Sequence, residues 1–233
     1  GLFVNDLKEE QWTYYYKTGQ KEMQGKYLQD QKQGFWEYWF SNGTKMQGGY
    51  FSQGVEDGEW QSWYSDGKKK DQGSFSMGKI DGLWVGFYPN GNKRYEGNWT
   101  KGVMDGLWKR YADNGRLQEE GKYKLGIKEG LWKTYDPKSG NLLTEGNYKN
   151  DEKDGVWKYY TPYGSLAMEQ SFKEGEVHGK TREYGSKGEL TAEKEFKDNM
   201  LHGQAILYQK GKAYQKMEYK YGKLVKQELI TEK

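Results

Sequence analysis

Two histidines, His178 and His202, are the only imidazoles in this 233-residue chain. They stand 24 residues apart, so a periodic fold could set them side by side as metal ligands, with Glu176 or Asp198 as a third. Both immediately precede a Gly, however, at the place where Asp57, Asp81, Asp105, Glu129 and Asp154 precede a Gly elsewhere. The plainer expectation is therefore a turn residue and no metal. The carboxylates of that series are expected to hold turn amides. No spacing singles out a glycosidase-like carboxylate pair. The absence of Cys excludes disulfides, Cys-ligated zinc and a thiol nucleophile. No Gly-x-Ser-x-Gly, phosphate-loop or dinucleotide pattern stands in the strand–helix setting it needs. Neither catalysis nor a cofactor is expected.

The element that places these side chains is a repeat. A Gly-x-Trp signature, with its first residue taken as position 1, opens copies at 10, 34, 58, 82, 106, 130, 155, 179 and 203. Position 3 is Trp in seven copies (Trp12, Trp36, Trp60, Trp84, Trp108, Trp132 and Trp157), then Thr181 and Ala205. Position 6 is aromatic throughout, from Tyr15 to Tyr208. Position 16 is Gly at Gly25, Gly49, Gly73, Gly97, Gly121 and, one residue late, Gly146, and an aromatic follows two residues on. Within one copy, Leu83–Tyr88 reads as a strand, Pro89-Asn90-Gly91-Asn92 as a turn, Lys93–Trp99 as the return strand and Lys101–Gly106 as the turn into the next copy. Each copy is then one antiparallel hairpin. The expected fold is all-β: an elongated, solenoid-like meander of about nine tandem hairpins and eighteen strands, with residues 1–9 as a cap or linker, 10–226 as the array and 227–233 as a tail. A Gly inside a strand weakens it. Here each Gly is expected to leave room for the ring of a neighbouring strand. Strict alternation puts position 6 on the face opposite position 3, unless a bulge intervenes.

Composition agrees with short strands and tight turns. Apolar residues are 33% and mean hydropathy is −1.20, yet aromatics reach 17% and Gly numbers 33, with only 3 Pro. Such a chain buries rings copy against copy rather than in one aliphatic core. A net charge of +3 lacks the excess of a dedicated nucleic-acid binder, and no nucleic-acid partner is expected. Lys210 to Lys226 holds six lysines and one acid, Glu218. This reads first as a solvated sheet end and second as a contact for anionic lipid or an acidic partner. No apolar run is long enough for a membrane helix. The expectation is a soluble chain, and opening on Gly1 rather than Met leaves a cytoplasmic or a processed, secreted or envelope placement equally open. The sequons at Asn42 and Asn98 are near chance.

The stretch Glu96-Gly97-Asn98-Trp99-Thr100-Lys101-Gly102-Val103-Met104-Asp105-Gly106-Leu107-Trp108 resembles a MORN repeat, and the Gly-x-Trp-x-x-Tyr continuation with its 24-residue period is most similar to the bacterial-type variant. The resemblance spans about residues 10–226. It implies a β-hairpin array serving as a scaffold for protein contacts, with attachment at membranes known for some members and no catalytic residues in the repeat itself.

One asymmetry goes beyond the repeat. Position 7 is aromatic only in the first four copies, at Tyr16, Phe40, Tyr64 and Tyr88, and position 5 adds Tyr14 and Tyr38. These six form the candidate contact surface for a protein partner, since interfaces favour aromatic residues. Thicker packing at that end is the bland alternative. Carbohydrate stacking is a third functional reading, with a poorer fit because wall-binding repeats have a shorter period.

Overall fold

The computed structural model describes residues 1–230 and contains only β-strands, joined by turns. The chain divides into two compact units, Gly1–Arg116 and the remainder from Leu117. In the first, β1 (Leu2–Val4), β2 (Leu7–Tyr15), β3 (Lys21–Leu28), β4 (Gln31–Trp39), β5 (Lys45–Ser52), β6 (Val55–Trp63), β7 (Lys69–Ser76), β8 (Lys79–Ile80), β9 (Gly82–Phe87), β10 (Lys93–Thr100) and β11 (Val103–Tyr111) pair antiparallel in chain order. In the second, β12 (Leu117–Lys124), β13 (Ile127–Tyr135), β14 (Leu142–Lys149), β15 (Glu152–Tyr160), β16 (Leu166–Lys173), β17 (Glu176–Tyr184), β18 (Leu190–Lys197), β19 (Met200–Gln209), β20 (Lys212–Lys220) and β21 (Lys223–Leu229) do the same. The described residues form 21 strands rather than about eighteen. Asp81 interrupts one forward strand between β8 and β9, and strands form at both ends, outside the signature. The last three residues of the expected 227–233 tail lie outside the described residues.

Two kinds of turn alternate. At the tips, inside each copy, the strands close as at Tyr88, whose N–H donates to the carbonyl of Asn92 at 2.8 Å while Gly91 N–H returns to Tyr88 at 2.8 Å. Only the Gly is left-handed there (φ 90°); Asn90 instead accepts from the Asn92 amide through its side chain at 3.0 Å. At the bases, between copies, both turn residues are left-handed, as at Met77 (φ 48°) and Gly78 (φ 75°). That is the two-residue turn whose twist matches paired strands.

A bulge in each forward strand sets the core. β4 and β5 pair without interruption from Gly34↔Phe51 to Tyr38↔Gln47. Between β3 and β4, however, the register jumps from Gln24↔Glu37 to Lys26↔Gln33, so Gly34, Phe35 and Trp36 face Gly25 alone. Gly34 takes a φ of 68° to make the bulge, and in the first copy Glu10 adopts the same conformation (φ 60°) without being Gly. The bulge lays Trp36 over Gly25 so closely that a Cβ at Gly25 would lie 2.3 Å from the indole. Gly49 meets Trp60, Gly73 meets Trp84, Gly97 meets Trp108, Gly121 meets Trp132 and Gly146 meets Trp157 in the same way. Where position 3 loses its Trp, the Gly goes too: Thr181 stands opposite Gln170 and Ala205 opposite Lys194. Each covered indole removes about 200 Å² from water, on the order of 5 kcal/mol by area, which is how so polar a chain stabilises its sheets.

Candidate binding surfaces

The sheets of both units carry aromatic residues on both faces, and the two faces are built differently. On the first, the Trp of position 3 alternates with the aromatic of position 18 in an edge-to-face series. In the first unit Tyr27–Trp36, Phe51–Trp60 and Phe75–Trp84 have centroids 4.9, 5.5 and 5.3 Å apart. In the second, Tyr123–Trp132 and Tyr148–Trp157 both lie at 5.0 Å. The indole N–H is used as well: Trp36, Trp132 and Trp157 donate to the carbonyls of Lys26, Lys122 and Asn147 on the preceding strand, at 3.0, 3.2 and 2.9 Å.

A lysine two residues before position 1 closes this face, and nothing in the sequence reading identified it. Lys32 Nζ lies 4.6, 5.0 and 5.0 Å from the ring centroids of Trp36, Tyr38 and Phe51 and donates to the Tyr38 hydroxyl at 2.6 Å. Lys8 with Trp12 and Tyr14, and Lys153 with Trp157 and Tyr159, repeat the arrangement, with Lys-to-hydroxyl distances of 3.1 and 2.9 Å. Tyr14 and Tyr38, expected as contact residues, are thus partners of these lysines. Burial, with a smaller push from Glu56, raises the Tyr38 pKa to about 12. The signal was available: Tyr occurs at position 5 only in copies with Lys at that preceding place.

The second face holds position 6, as strict alternation requires. In the second unit the hydroxyls of Tyr135, Tyr160 and Tyr184 donate to Glu120, Glu145 and Glu169 at 2.6, 2.8 and 2.9 Å. Each of these carboxylates comes from the residue before position 16, which points away from the indole. In most of the first unit position 6 is Trp or Phe, and lysines lie over two of the rings, Lys21 over Trp39 and Lys45 over Trp63, at 5.6 and 5.3 Å. This face also presents position 2, where Phe35, Leu83 and Leu107 in the first unit are 45, 53 and 63% exposed, and Leu131 and Val156 in the second 51 and 52%.

The position-7 residues sit at the tip edge, half-buried. Tyr16, Tyr64 and Tyr88 donate to the backbone carbonyls of Trp39, Phe87 and Tyr111, one copy on, at 2.7, 2.8 and 2.9 Å. Phe40, with no hydroxyl, holds the same place. The structure therefore separates the six expected contact residues into two groups, a face pair (Tyr14, Tyr38) and a tip row.

The histidines lie near the starts of forward strands, His178 in β17 and His202 in β19, with their side chains toward the next base turn. His202 Nδ1 accepts from the Tyr221 amide at 3.3 Å, and His178 Nδ1 lies 3.1 Å from Asp198 Oδ1. Glu9, Gln33, Asp57 and Glu129 accept from turn amides at the same position, at 3.0 to 3.3 Å. Among the described residues no three His, Asp or Glu side chains are grouped to hold a metal ion, and no helix is long and apolar enough to cross a membrane.

Comparison with known proteins bears on the repeat. No curated protein sequence matches. Two solved structures, the crystal structures of TcdB2-TccC3-Cdc42 and of TcdB2-TccC3-TEV, match 90% and 89% of this chain at 13% and 12% identity, with TM-scores of 0.23 and 0.22. The chain spans only 13% of the length of each, and likeness at these scores carries no argument. The family profile of the MORN repeat variant matches five successive stretches, 56–76, 80–101, 104–125, 128–150 and 153–174. Their period coincides with the bulged hairpins described above. The chain is a MORN-repeat protein.

Proposed function

We propose that this protein is a non-enzymatic scaffold that binds a protein partner along the face opposite its tryptophans. The MORN family and an all-β repeat fold are typical of non-catalytic modules. The observation that carries the reading is the apolar side chains at position 2, about half exposed at Phe35, Leu83 and Leu107 in the first unit and, separately, at Leu131 and Val156 in the second, though each unit uses the opposite face for its core. Exposed apolar side chains in register are what a partner's surface covers. Phe35 adds a second ring beside it, Tyr50, 5.1 Å away and also exposed. The tip row of Tyr16, Phe40, Tyr64 and Tyr88 supports the same reading by holding consecutive hairpins in line, and Tyr14 and Tyr38 offer ring edges on the other face. The test is affinity capture from native extract with the wild-type chain and with a Phe35→Ser, Leu83→Ser, Leu107→Ser variant whose fold is checked by circular dichroism. A protein retained by the first and lost by the second supports the scaffold. Capture of nothing by either refutes it.

A second reading, contact with an anionic lipid surface, draws on position 19. It is Lys at Lys124, Lys173 and Lys197, one residue late at Lys149 and one residue early at Lys220, so five successive copies carry an exposed lysine there, about 10 Å apart at two strand spacings. Glu152 and Glu176 stand opposite Lys149 and Lys173, but Lys197 and Lys220 face Met200 and Lys223, which leaves the basic excess at the C-terminal copies. Failure to float with phosphatidylserine vesicles at low salt eliminates this reading.

A further inference from the structure

The copies can be compared with one another at the residue two before position 1, because it determines what covers each indole. Where it is Lys, an ammonium lies over the indole: Trp36, Trp132 and Trp157, beneath Lys32, Lys128 and Lys153, are 0, 2 and 3% exposed, while Trp12, beneath Lys8 in the first copy, is half-buried. In the third copy the residue is Glu56, and Trp60 is 8% exposed. The rings that frame a lysine elsewhere are still present. Phe51, Phe75 and Tyr38 lie 5.5, 5.7 and 6.5 Å from Trp60. The position-5 Tyr whose hydroxyl accepts the lysine's hydrogen bond in the first, second and seventh copies is Ser62 here, so the copy lacks both halves of the internal lysine–tyrosine pair and retains the aromatic frame. The Glu56 carboxylate is half-buried, and no hydrogen bond or ion pair to it is found among the described residues. It opens on a groove of about 480 Å³ lined by Tyr38, Phe51, Trp60, Gln47, Lys32 and Asp30.

The charges agree with a missing cation. Two carboxylates, Asp30 and Glu56, face one ammonium, that of Lys32, along this groove. Lys32 is held in its own cage by the Tyr38 hydroxyl at 2.6 Å. A ring face beside a carboxylate attracts an ammonium group more strongly than either does alone.

We infer that the third copy binds an alkylammonium group from outside the chain: a lysine side chain of a polypeptide partner enters the groove and sets its ammonium over Trp60 beside Glu56, where the preceding copy uses Lys32 of its own. The inference takes from the scaffold reading that the partner is a polypeptide, and it adds the chemistry that the partner must present.

The test is direct titration of the ¹⁵N-labelled protein with N-acetyl-lysine methylamide and, in parallel, with the uncharged N-acetyl-norleucine methylamide. The reporter is the Trp60 indole N–H, assigned through Trp60→Phe. A saturable shift with the lysine probe is expected, about tenfold weaker with norleucine. Glu56→Gln is expected to weaken lysine binding about tenfold, and Glu56→Lys, which restores the self-filled arrangement, to abolish it. The remaining indole signals report that each variant is folded. No shift in the wild type, an equal response to both probes, or undiminished binding in both Glu56 variants overturns the inference. If it falls while affinity capture still retains a partner, the scaffold reading survives without it.

Discussion

Replacing Gly121 with Ala is expected to destabilise the protein by about 2–3 kcal/mol, although Ala ordinarily suits a strand better than Gly does. The backbone at Gly121 is not left-handed, so the cost is not conformational. It comes from the ring above. The added Cβ would stand 2.1 Å from Trp132 Cδ2 and 2.3 Å from Cε2, where ordinary contact begins at 3.4 Å, so the indole would have to retreat by more than 1 Å. It has little room to do so. Trp132 is 2% exposed, its N–H is engaged by the Lys122 carbonyl at 3.2 Å, Lys128 Nζ lies 4.0 Å from the ring centroid, and Tyr123 and Tyr148 flank it edge-on. That places the penalty toward the upper end of the range for overpacking. Trp132→Thr alone should cost about 3–5 kcal/mol. The double variant reproduces the natural Gln170/Thr181 type of pairing, in which the following forward strand sets no ring over the residue at position 16. It should cost no more than Trp132→Thr alone, which gives a coupling of about 2–3 kcal/mol. Denaturant unfolding measures the totals. Hydrogen exchange of amides around Trp132 measures the local effect, because repeat arrays open in parts. Gly121→Ala within about 0.5 kcal/mol of wild type, or strictly additive costs, would refute the Gly–Trp account.

Tyr160 donates to Glu145 at 2.8 Å, and burial first, then that carboxylate, pushes its pKa up to about 12. Its contribution to stability is therefore complete below the ordinary tyrosine pKa of 10 and is lost as pH rises from there through about 12. Glu145→Gln should shift one phenolate absorbance step to lower pH, and an unchanged titration would count against the hydroxyl–carboxylate pair. Leu125 holds a left-handed φ of 52° at the first residue of a base turn and is 69% exposed; Leu125→Asn, giving Asn-Gly, should raise the unfolding free energy by about 1 kcal/mol, measured by denaturant midpoint. Thr181 is 2% exposed and its hydroxyl has no hydrogen-bond partner among the described residues. Thr181→Val should stabilise by about 1–2 kcal/mol, and a loss of stability would mean that the hydroxyl is satisfied after all.

The sequence made the hairpins, the base turns and the Gly-under-ring packing readable because each leaves a local mark: Gly91 in a tip, Gly78 in a base, Gly121 two residues ahead of an aromatic. His178 and His202, expected in turns, instead begin forward strands, although His202 accepts from a turn amide as Asp57 and Glu129 do in other copies. Relations across strands were harder to read. The Lys32–Trp36–Tyr38 cluster depends on three residues, Gly34 to Trp36, facing one, and a period of 24 is the same with or without that bulge. The Tyr16 hydroxyl meets a carbonyl 23 residues later, a contact set by stacking of tips rather than by side-chain type. The aromatic excess of the first four copies was therefore open to two readings, contact surface or thicker packing, and the structure adds that the hydroxyls of Tyr16, Tyr64 and Tyr88 join hairpins. Strand number was underestimated where strands form without the signature, at Leu2–Val4 and Lys223–Leu229.

The pairing of each tryptophan with a glycine on the strand before it also bears on how such an array can lengthen or shrink. The two residues are joined through a base turn, so the smallest self-consistent piece is a return strand plus the following forward strand, half a copy out of phase with the tip hairpin. A duplication or deletion with breakpoints in tip turns keeps every indole with its cavity. One with breakpoints in base turns can set Trp157 above a residue such as Gln170, or leave Gly121 beneath a Thr, creating a clash or a void at the seam. Genetic exchange among copies is thus tolerated at one edge of the sheet and penalised at the other, and copies that have given up both partners, like the two led by Gly179 and Gly203, can exchange only with each other.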